Sequence, residues 1–417
     1  MERKFANNPP LQQEYIEFMR AYQELGHMTP VPDYQGPWNK VCYLPHHAVF
    51  KQSSSTTKTR VVFDASCQST SGVSLNHLLL TGPKIQDDLH AILIRWRKYP
   101  IAWTADMEKM FRQIELHADD RNFHRILWRE KHQDRIQEYQ LNTVTYGTAP
   151  ATFLAVRAMH QLVKDDGAKF PRASKAILND FYVDDLLSGA YSINEAKETI
   201  NEIMALMQLG CFNLRKWCSN SPELLNHIPL DLQETQQIEI TEDKNSTNTL
   251  KPLGILWDPH TDLFQFKISM DRFGPTTDAI IKRKILSDLS SVFDPTGWLA
   301  PVILNGKIIM QMLWKEKTDW DEIPSETVRK RWLDFQTHLP ALDVIKIPRW
   351  THLTPAAHVE IHGFSDSSEK AFAACIYMRV QIGTQCNVTL LNAKTRVAPL
   401  KGKITLPRLE LCGATLL

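Results

Sequence analysis

The sequence Tyr182-Val183-Asp184-Asp185 sets two adjacent carboxylates between apolar runs, Ala176-Ile177-Leu178-Asn179-Asp180-Phe181 before and Leu186-Leu187 after, ending at Gly189. The pattern predicts strand, tight turn and strand, with both acids at the tip. Neighbouring carboxylates repel each other and hold water, so a hydrophobic hairpin gains nothing from them unless a cation sits between them. Magnesium held by carboxylates is the common arrangement where phosphates are handled. A two-metal phosphoryl-transfer site also needs an acid from a facing strand. One ion then lowers the pKa of an attacking 3′-hydroxyl and the other stabilises a leaving pyrophosphate. Asp106 is the candidate, because it closes the apolar run Ile101-Ala102-Trp103-Thr104-Ala105-Asp106. The alternatives are a solvated acidic turn at Asp184 and Asp185 and a helix start capped by Asp106.

The elements that must position these acids follow from spacing. Helical periodicity runs from Gln12 to Leu25, with Gly26 as C-cap, from about Ile85 to Arg97, from about Ala151 to Lys164, and from Asn194 to Leu209, stopped by Gly210. A Pro-rich segment up to Pro45 reads as extended, and Ser53-Ser54-Ser55-Thr56-Thr57 as a polar loop before the strand Arg60-Val61-Val62-Phe63-Asp64. The acidic, polar stretch Asp231 to Thr249 reads as a linker or long loop. A new module begins at Lys251 and contains a buried helix between Trp298 and Trp314. A third unit opens near His358 with the strand-like Val359-Glu360-Ile361-His362-Gly363-Phe364-Ser365-Asp366.

A chain of 417 residues holds two or three domains, and 43% hydrophobic with 23% charged residues is ordinary for a globular protein. A net charge of +1 makes no overall electrostatic case for nucleic acid, so that case rests on local patches such as Ile281-Lys282-Arg283-Lys284. The tryptophans beside basic residues, as in Arg95-Trp96-Arg97 and Lys216-Trp217, could stack bases, but a core role is the stronger expectation. Seven cysteines include no Cys-x-x-Cys pair, so zinc spacing is absent, and an odd number in a chain of this size argues against a disulfide framework. They suit reduced thiols in a cytosolic or nuclear setting. No secretory signal or membrane span is visible. His46-His47 has no acid or cysteine at ligand spacing and reads as packing or hydrogen bonding.

Taken together, Asp106 with its flanks, Tyr182-Val183-Asp184-Asp185, Arg60-Val61-Val62-Phe63-Asp64-Ala65-Ser66 and Ser74-Leu75-Asn76 resemble the ordered motifs of a reverse transcriptase. The detailed wording is similar to the BEL/Pao group of long-terminal-repeat retrotransposons. Further matches are Tyr43-Leu44-Pro45-His46-His47, Met107-Glu108-Lys109-Met110-Phe111-Arg112-Gln113, Val144-Thr145-Tyr146-Gly147 and Phe212-Asn213-Leu214-Arg215-Lys216-Trp217. The resemblance implies an α+β right-hand polymerase fold of fingers, palm and thumb. A connection-like module and a partial ribonuclease H-like α/β unit would follow. The implied boundaries are 1–230 for fingers and palm, 231–250 for the linker, 251–350 for the thumb or connection-like module, and 355–417 for the ribonuclease H-like part.

The family's roles carry over residue by residue. Asp106, Asp184 and Asp185 match the metal-binding acids, which implies two Mg2+ ions. Lys216 resembles the lysine near the leaving pyrophosphate. Arg60 matches a fingers residue that grips the nucleotide, Phe111 the aromatic that excludes a 2′-hydroxyl, and Gly147 the glycine beside nucleotide and template. Tyr182, at the hairpin, joins this nucleotide-binding set. Leu253-Gly254-Ile255-Leu256-Trp257 resembles the hairpin that holds the primer end, which makes Gly254 and Trp257 primer contacts. Asp366 and Glu410 match two of the four ribonuclease H acids, with Glu410 turned inward from a helix that starts near Pro407. The chain departs from the family pattern where a proline is usual five positions after the glycine. Thr152 stands there, and Pro150 comes earlier.

These matches imply an RNA-directed DNA polymerase, a nucleotidyltransferase taking deoxynucleoside triphosphates and an RNA or DNA template with primer. It would work as one segment of a retrotransposon polyprotein that also serves DNA integration. One rival is a domesticated or inactive remnant that binds nucleic acid without catalysis. The other is an aspartic peptidase, since the 251–350 region is sometimes so labelled in this family. Asp294-Pro295-Thr296-Gly297 has an inserted proline and no second copy to complete a dyad, so it reads as a structural turn. The chain looks cut at both ends. With two acids expected beyond Leu417, the last unit is expected to be poorly packed and to lack ribonuclease H activity.

Overall fold

Along Ile101–Met107 the side chains alternate between two cores. Trp103, Ala105 and Met107 enter one and Ala102 enters the other, the two-residue period of a strand buried on both faces. This strand lies inside a four-stranded antiparallel sheet in the order Phe181–Tyr182, Asp185–Ala190, Ile101–Met107, Leu214–Ser219. Helices Ala151–Asp166, Pro171–Asn179 and Ile193–Leu209 cover the Trp103 face through Ala155, Met159, Ile177, Ile200 and Ile203. Helix Leu89–Trp96 covers the other face through Ile92, Leu93 and Trp96. The computed structural model describes residues 1–31, 40–50, 59–234, 256–266, 280–290, 292, 294–400, 402 and 404–417.

One expectation needs correction here, and one alternative falls away. The run from Ala176 is not a strand, because Pro171–Asn179 is a helix with proline in its first turn and Ala173, Ala176 and Ile177 buried at helical spacing. Only Phe181 and Tyr182 join the sheet before the turn. Nor does Asp106 cap a helix. It lies within the strand, and the residues beyond it form a short 3₁₀ turn, Met110–Gln113. The C-cap read from sequence fares better, since helix Pro9–Glu24 is followed by Gly26 at φ +75°. Helix Ile193–Leu209 starts one residue before the expected Asn194, where Ser192 Oγ accepts from Glu195 N (3.3 Å).

Before the main sheet, strands Met28–Pro30, Gln137–Leu141 and Arg125–Trp128 form one small sheet, and His46–Phe50 pairs with Thr59–Phe63. Both surround Tyr15, Phe63, Ile126 and Leu141. His46 is a packing residue, with Nδ1 2.5 Å from the Tyr15 hydroxyl and Nε2 3.0 Å from Leu127 O.

After the main sheet, Leu256–Asp258, Leu263–Gln265 and Lys346–Pro348 form a three-stranded antiparallel sheet. Positions 235–255, which include most of the expected linker, lie outside the described residues. Helices Lys282–Ser290, Ala300–Lys315 and Glu326–His338 pack around Ile285, Leu313 and Trp332. The C-terminal unit is a meander, His358–Ser367, Ala371–Ile382 and Gln385–Val397, with helix Leu406–Leu416 burying Leu409 against Phe372. Its core is small, and Ile361 and Phe364 on the first strand are 60% and 58% exposed.

Two fully buried arginines lock these parts together. Arg97 donates to the carbonyls of Arg349 (3.1 Å), Leu390 (2.9 Å) and Pro348 (3.1 Å). Arg349 answers with bonds to the carbonyls of Trp96 (2.9 Å), Tyr99 (2.8 Å) and Pro100 (3.3 Å) and with a two-pronged pair to Asp262 at 2.6 and 2.8 Å. Burial, followed by the neighbouring Arg349 charge, pushes the Arg97 guanidinium down to about 9, so it stays charged at neutral pH. Removing one partner strands buried carbonyls and a carboxylate. Arg349→Ala should therefore lose roughly 3–5 kcal/mol of unfolding free energy in a urea titration. Arg349→Lys, which lacks the planar fork, should recover only part of it. A loss below about 1 kcal/mol, the level of an exposed ion pair, would show that the lock carries no weight.

Candidate active site

Tyr182 pairs with Asp185, so Val183 and Asp184 form a two-residue turn. Val183 sits at φ +59°, a region costly for a β-branched residue. Its N–H donates to Gln86 Oε1 at 3.1 Å, which helps hold the strained tip. Asp185 stands directly across from Asp106 in the antiparallel pair, and Met107 N donates to Asp184 O at 2.8 Å. All three acids of the sequence motif thus meet at one end of the sheet.

The neighbouring strand carries a bulge at the same level. Thr104 pairs with Cys218 and Asp106 with Arg215, so Ala105 faces two residues, Lys216 and Trp217. Lys216 takes φ +54°, Trp217 drops into the core, and the Lys216 ammonium reaches Asp106 Oδ2 at 3.3 Å. Arg215 pairs instead with Glu108 at 2.8 Å.

Burial is the main force on the two hairpin acids. It raises the Asp184 pKa, with Asp106 adding to the rise and Lys216 and Arg60 opposing it. Asp185 is pushed up to about 7, first by burial and then by the Asp184 and Asp106 charges, against Lys216. Asp180, also buried, is different. Burial raises its pKa, but it accepts from Ser188 Oγ (2.7 Å) and Arg95 Nε (3.1 Å) and is structurally satisfied. Asp184 and Asp185 are therefore half-buried carboxyls whose ionised form is disfavoured until a cation compensates it, and their hard oxygen donors suit magnesium. As the side chains stand, with Lys216 on Asp106, no three His, Cys, Asp or Glu among the described residues converge closely enough to hold a metal ion.

The remaining candidates divide. Arg60 lies exposed on strand Thr59–Phe63, near enough to Asp184 to favour its charged form. Phe111 is half-buried in the turn Met110–Gln113 and packs on the main core. Gly147 is at φ +94°, and a Cβ there would meet Phe63 O at 2.8 Å, so only glycine fits. Pro150, where the chain departs from the family pattern, sits immediately before helix Ala151–Asp166. Tyr182 is half-buried against the second core.

Trp257 is a correction. It is fully buried, edge-on to Trp96 at 4.8 Å, and donates Nε1 to Asp262 (3.0 Å), so its ring cannot touch a primer. Gly254 lies outside the described residues. Glu410 is a second correction. It is exposed, and the helix turns Leu409 inward instead. Asp366 is exposed on its strand, with Oδ1 accepting from Ser367 N. Asp294 is a turn residue, its oxygens accepting from Trp298 N (2.9 Å) and Leu299 N (2.7 Å). The role of Gln86 left no mark in the sequence, since it arises from a contact 97 positions away.

Comparison with known proteins agrees with this architecture. Residues 281–417 match the family model described as Pao retrotransposon-like RNaseH-like domain. No curated protein matches the chain. Among solved structures, the foamy viral protease-reverse transcriptase dRH in complex with double-stranded DNA aligns with a TM-score of 0.58 at 13% identity. That alignment covers 94% of this chain and 57% of that one. The foamy viral protease-reverse transcriptase in complex with an RNA/DNA hybrid aligns with a TM-score of 0.58 at 11% identity, covering 98% of this chain and 46% of that one. This chain thus spans about half the length of those proteins. The fold is that of a viral reverse transcriptase, and the last third is similar to a retrotransposon ribonuclease H-like domain.

The raised Asp185 pKa has a definite sign. The folded chain holds that proton more tightly than the unfolded one, so its contribution is complete below about pH 4 and lost as pH rises through about 7. In chelator-treated protein, Asp185→Asn should be more stable than the parent at pH 7.5, by on the order of 1–3 kcal/mol. The gap should shrink at pH 5. Denaturant titrations at both pH values measure it, and a variant less stable at pH 7.5 would contradict the assigned burial.

Proposed function

We propose that the chain is an RNA-directed DNA polymerase of a BEL/Pao-type retrotransposon, transferring nucleotides onto a primer 3′-hydroxyl. The observation that carries this reading is the meeting of Asp106 and Asp185 on facing strands with Asp184 in the turn between Tyr182 and Asp185, burial raising the pKa of both hairpin acids. In this reading the main sheet and its helices are the palm, the two smaller N-terminal sheets the fingers, and the helical module the thumb and connection. Asp106, Asp184 and Asp185 hold two Mg2+ ions, with Lys216 yielding its contact with Asp106. When bound, the ions supply the charge that activates the hydroxyl and stabilises the departing pyrophosphate. Lys216, released from Asp106, offers its ammonium to that pyrophosphate. Arg60 binds the nucleotide phosphates from the fingers side, where a planar guanidinium suits them. Phe111 closes the sugar pocket, and Gly147 lets the backbone approach the base pair.

The partners are then deoxynucleoside triphosphates, a primed RNA or DNA template and other parts of the polyprotein. The nucleic acid bound to both foamy viral structures supports that choice. A cytosolic or nuclear site of action suits seven cysteines that are all free. Among the described residues no helix is long and apolar enough to cross a membrane.

Primer extension on a primed RNA template with Mg2+ tests the reading. The parent chain should extend, and Asp185→Asn, still folded, should lose at least about 1,000-fold in rate, the scale on which electrostatic catalysis is lost. Binding of template–primer with no extension by the parent would favour the non-catalytic remnant. A second assay isolates Phe111. Phe111→Val should raise incorporation of ribonucleotides relative to deoxyribonucleotides, because the ring no longer meets the 2′-hydroxyl. Unchanged sugar preference with lowered stability would make Phe111 a core residue only.

A further inference from the structure

We propose that Asn76 is a positioning residue that sets the separation between two walls of the nucleotide site, the strand carrying Arg60 and the turn carrying Gly147. This rests on the polymerase reading above. Asn76 lies in the short helix Leu75–Leu78. Its Nδ2 donates to Ser66 Oγ (2.8 Å) and to Gly147 O (3.0 Å), and its Oδ1 accepts from Ala149 N (2.7 Å). Its backbone N–H donates to Ala65 O at 3.0 Å. One residue therefore ties the loop that follows the Arg60 strand to both sides of the Gly147 turn. The partners also fix which way the amide points. Exchanging its oxygen and nitrogen would set oxygen against the Gly147 carbonyl and N–H against N–H at Ala149.

The turn has little slack on its other side. Gly147 packs so closely that a Cβ would stand 2.8 Å from Phe63 O, and the Tyr146 hydroxyl donates to Val61 O at 2.5 Å. Tyr146 and Asn76 thus pin the turn from two directions, and Val61 is the next residue after Arg60 in the same strand. Losing the Asn76 clamp leaves the Tyr146 bond in place, so the turn shifts without the fold coming apart. Such a shift loosens substrate equally in the bound and transition states, which raises KM and spares kcat.

Steady-state extension by the parent chain, Asn76→Asp, Asn76→Ala, Gly147→Ala and the double variant Asn76→Ala with Gly147→Ala decides the matter. Asn76→Asp keeps the shape and the Ala149 contact but puts a carboxylate oxygen against Gly147 O. Both Asn76 variants should raise KM for the nucleotide about 10-fold or more, with kcat within about threefold of the parent. The double variant should be less than additive with its singles, since both residues act on one turn. A lowered Tm and kcat with unchanged KM would mean a merely structural role, and additive effects would mean the residues act separately. Either result overturns the inference while leaving the polymerase reading intact. A parent chain that extends no primer sinks the polymerase reading and this inference with it.

Discussion

Like charges directly across an antiparallel pair repel, and Asp106 faces Asp185 in that geometry, with Asp184 one residue away in the turn. Nothing in the packing of the sheet requires this. The back of the sheet is a continuous apolar core that three helices cover, so the strands cannot slip to relieve the repulsion. A one-residue slip would turn Trp103 and Ala105 out of this core and into the opposite face, which helix Leu89–Trp96 already fills. The acids are therefore held together by the burial of their neighbours. That rigidity is what a site needs if charge is to be placed before substrate arrives.

The chain treats its buried charges in two ways. Arg97 and Arg349 are wholly enclosed, yet their guanidiniums are matched by carbonyls and by Asp262. Asp180 is likewise satisfied by Ser188 and Arg95. Those groups join segments and need nothing further. Asp184 and Asp185 are less well matched: burial raises both, Asp184 is favoured as an anion by its own backbone hydrogen bond and by Lys216 and Arg60, and Asp185 by Lys216. Carboxyls that the fold leaves under-compensated are the physical basis of the metal assignment proposed above.

Local features were legible in the sequence because they rest on local physics. Helix stops at Gly26 and Gly210, the strand that carries Asp106 next to its last residue, and the Asp294 turn all depend on a few adjacent residues. The segment before the hairpin misled because its apolar residues suit strand and helix alike. Pro171, five positions before Ala176, starts the helix. Trp257 misled because an aromatic in a motif suggests contact, whereas Trp96, 161 positions earlier, claims its face. The Arg97–Arg349 lock, the Gln86 contact and the bulge that aims Lys216 all join distant segments or depend on register, and no spacing along the chain announces them.

The central claim is that divalent cations bind between the acids of facing strands, and locating the ions tests it most directly. A ternary complex with template–primer and a deoxynucleoside triphosphate, grown in Mn2+ and measured for anomalous scattering, should show two peaks at the carboxylates of Asp106, Asp184 and Asp185, roughly 3.5–4 Å apart. In that complex Lys216 should have left Asp106. A bound nucleotide with no peak at these acids, or with Lys216 still paired to Asp106 and the metal elsewhere, would contradict the assignment.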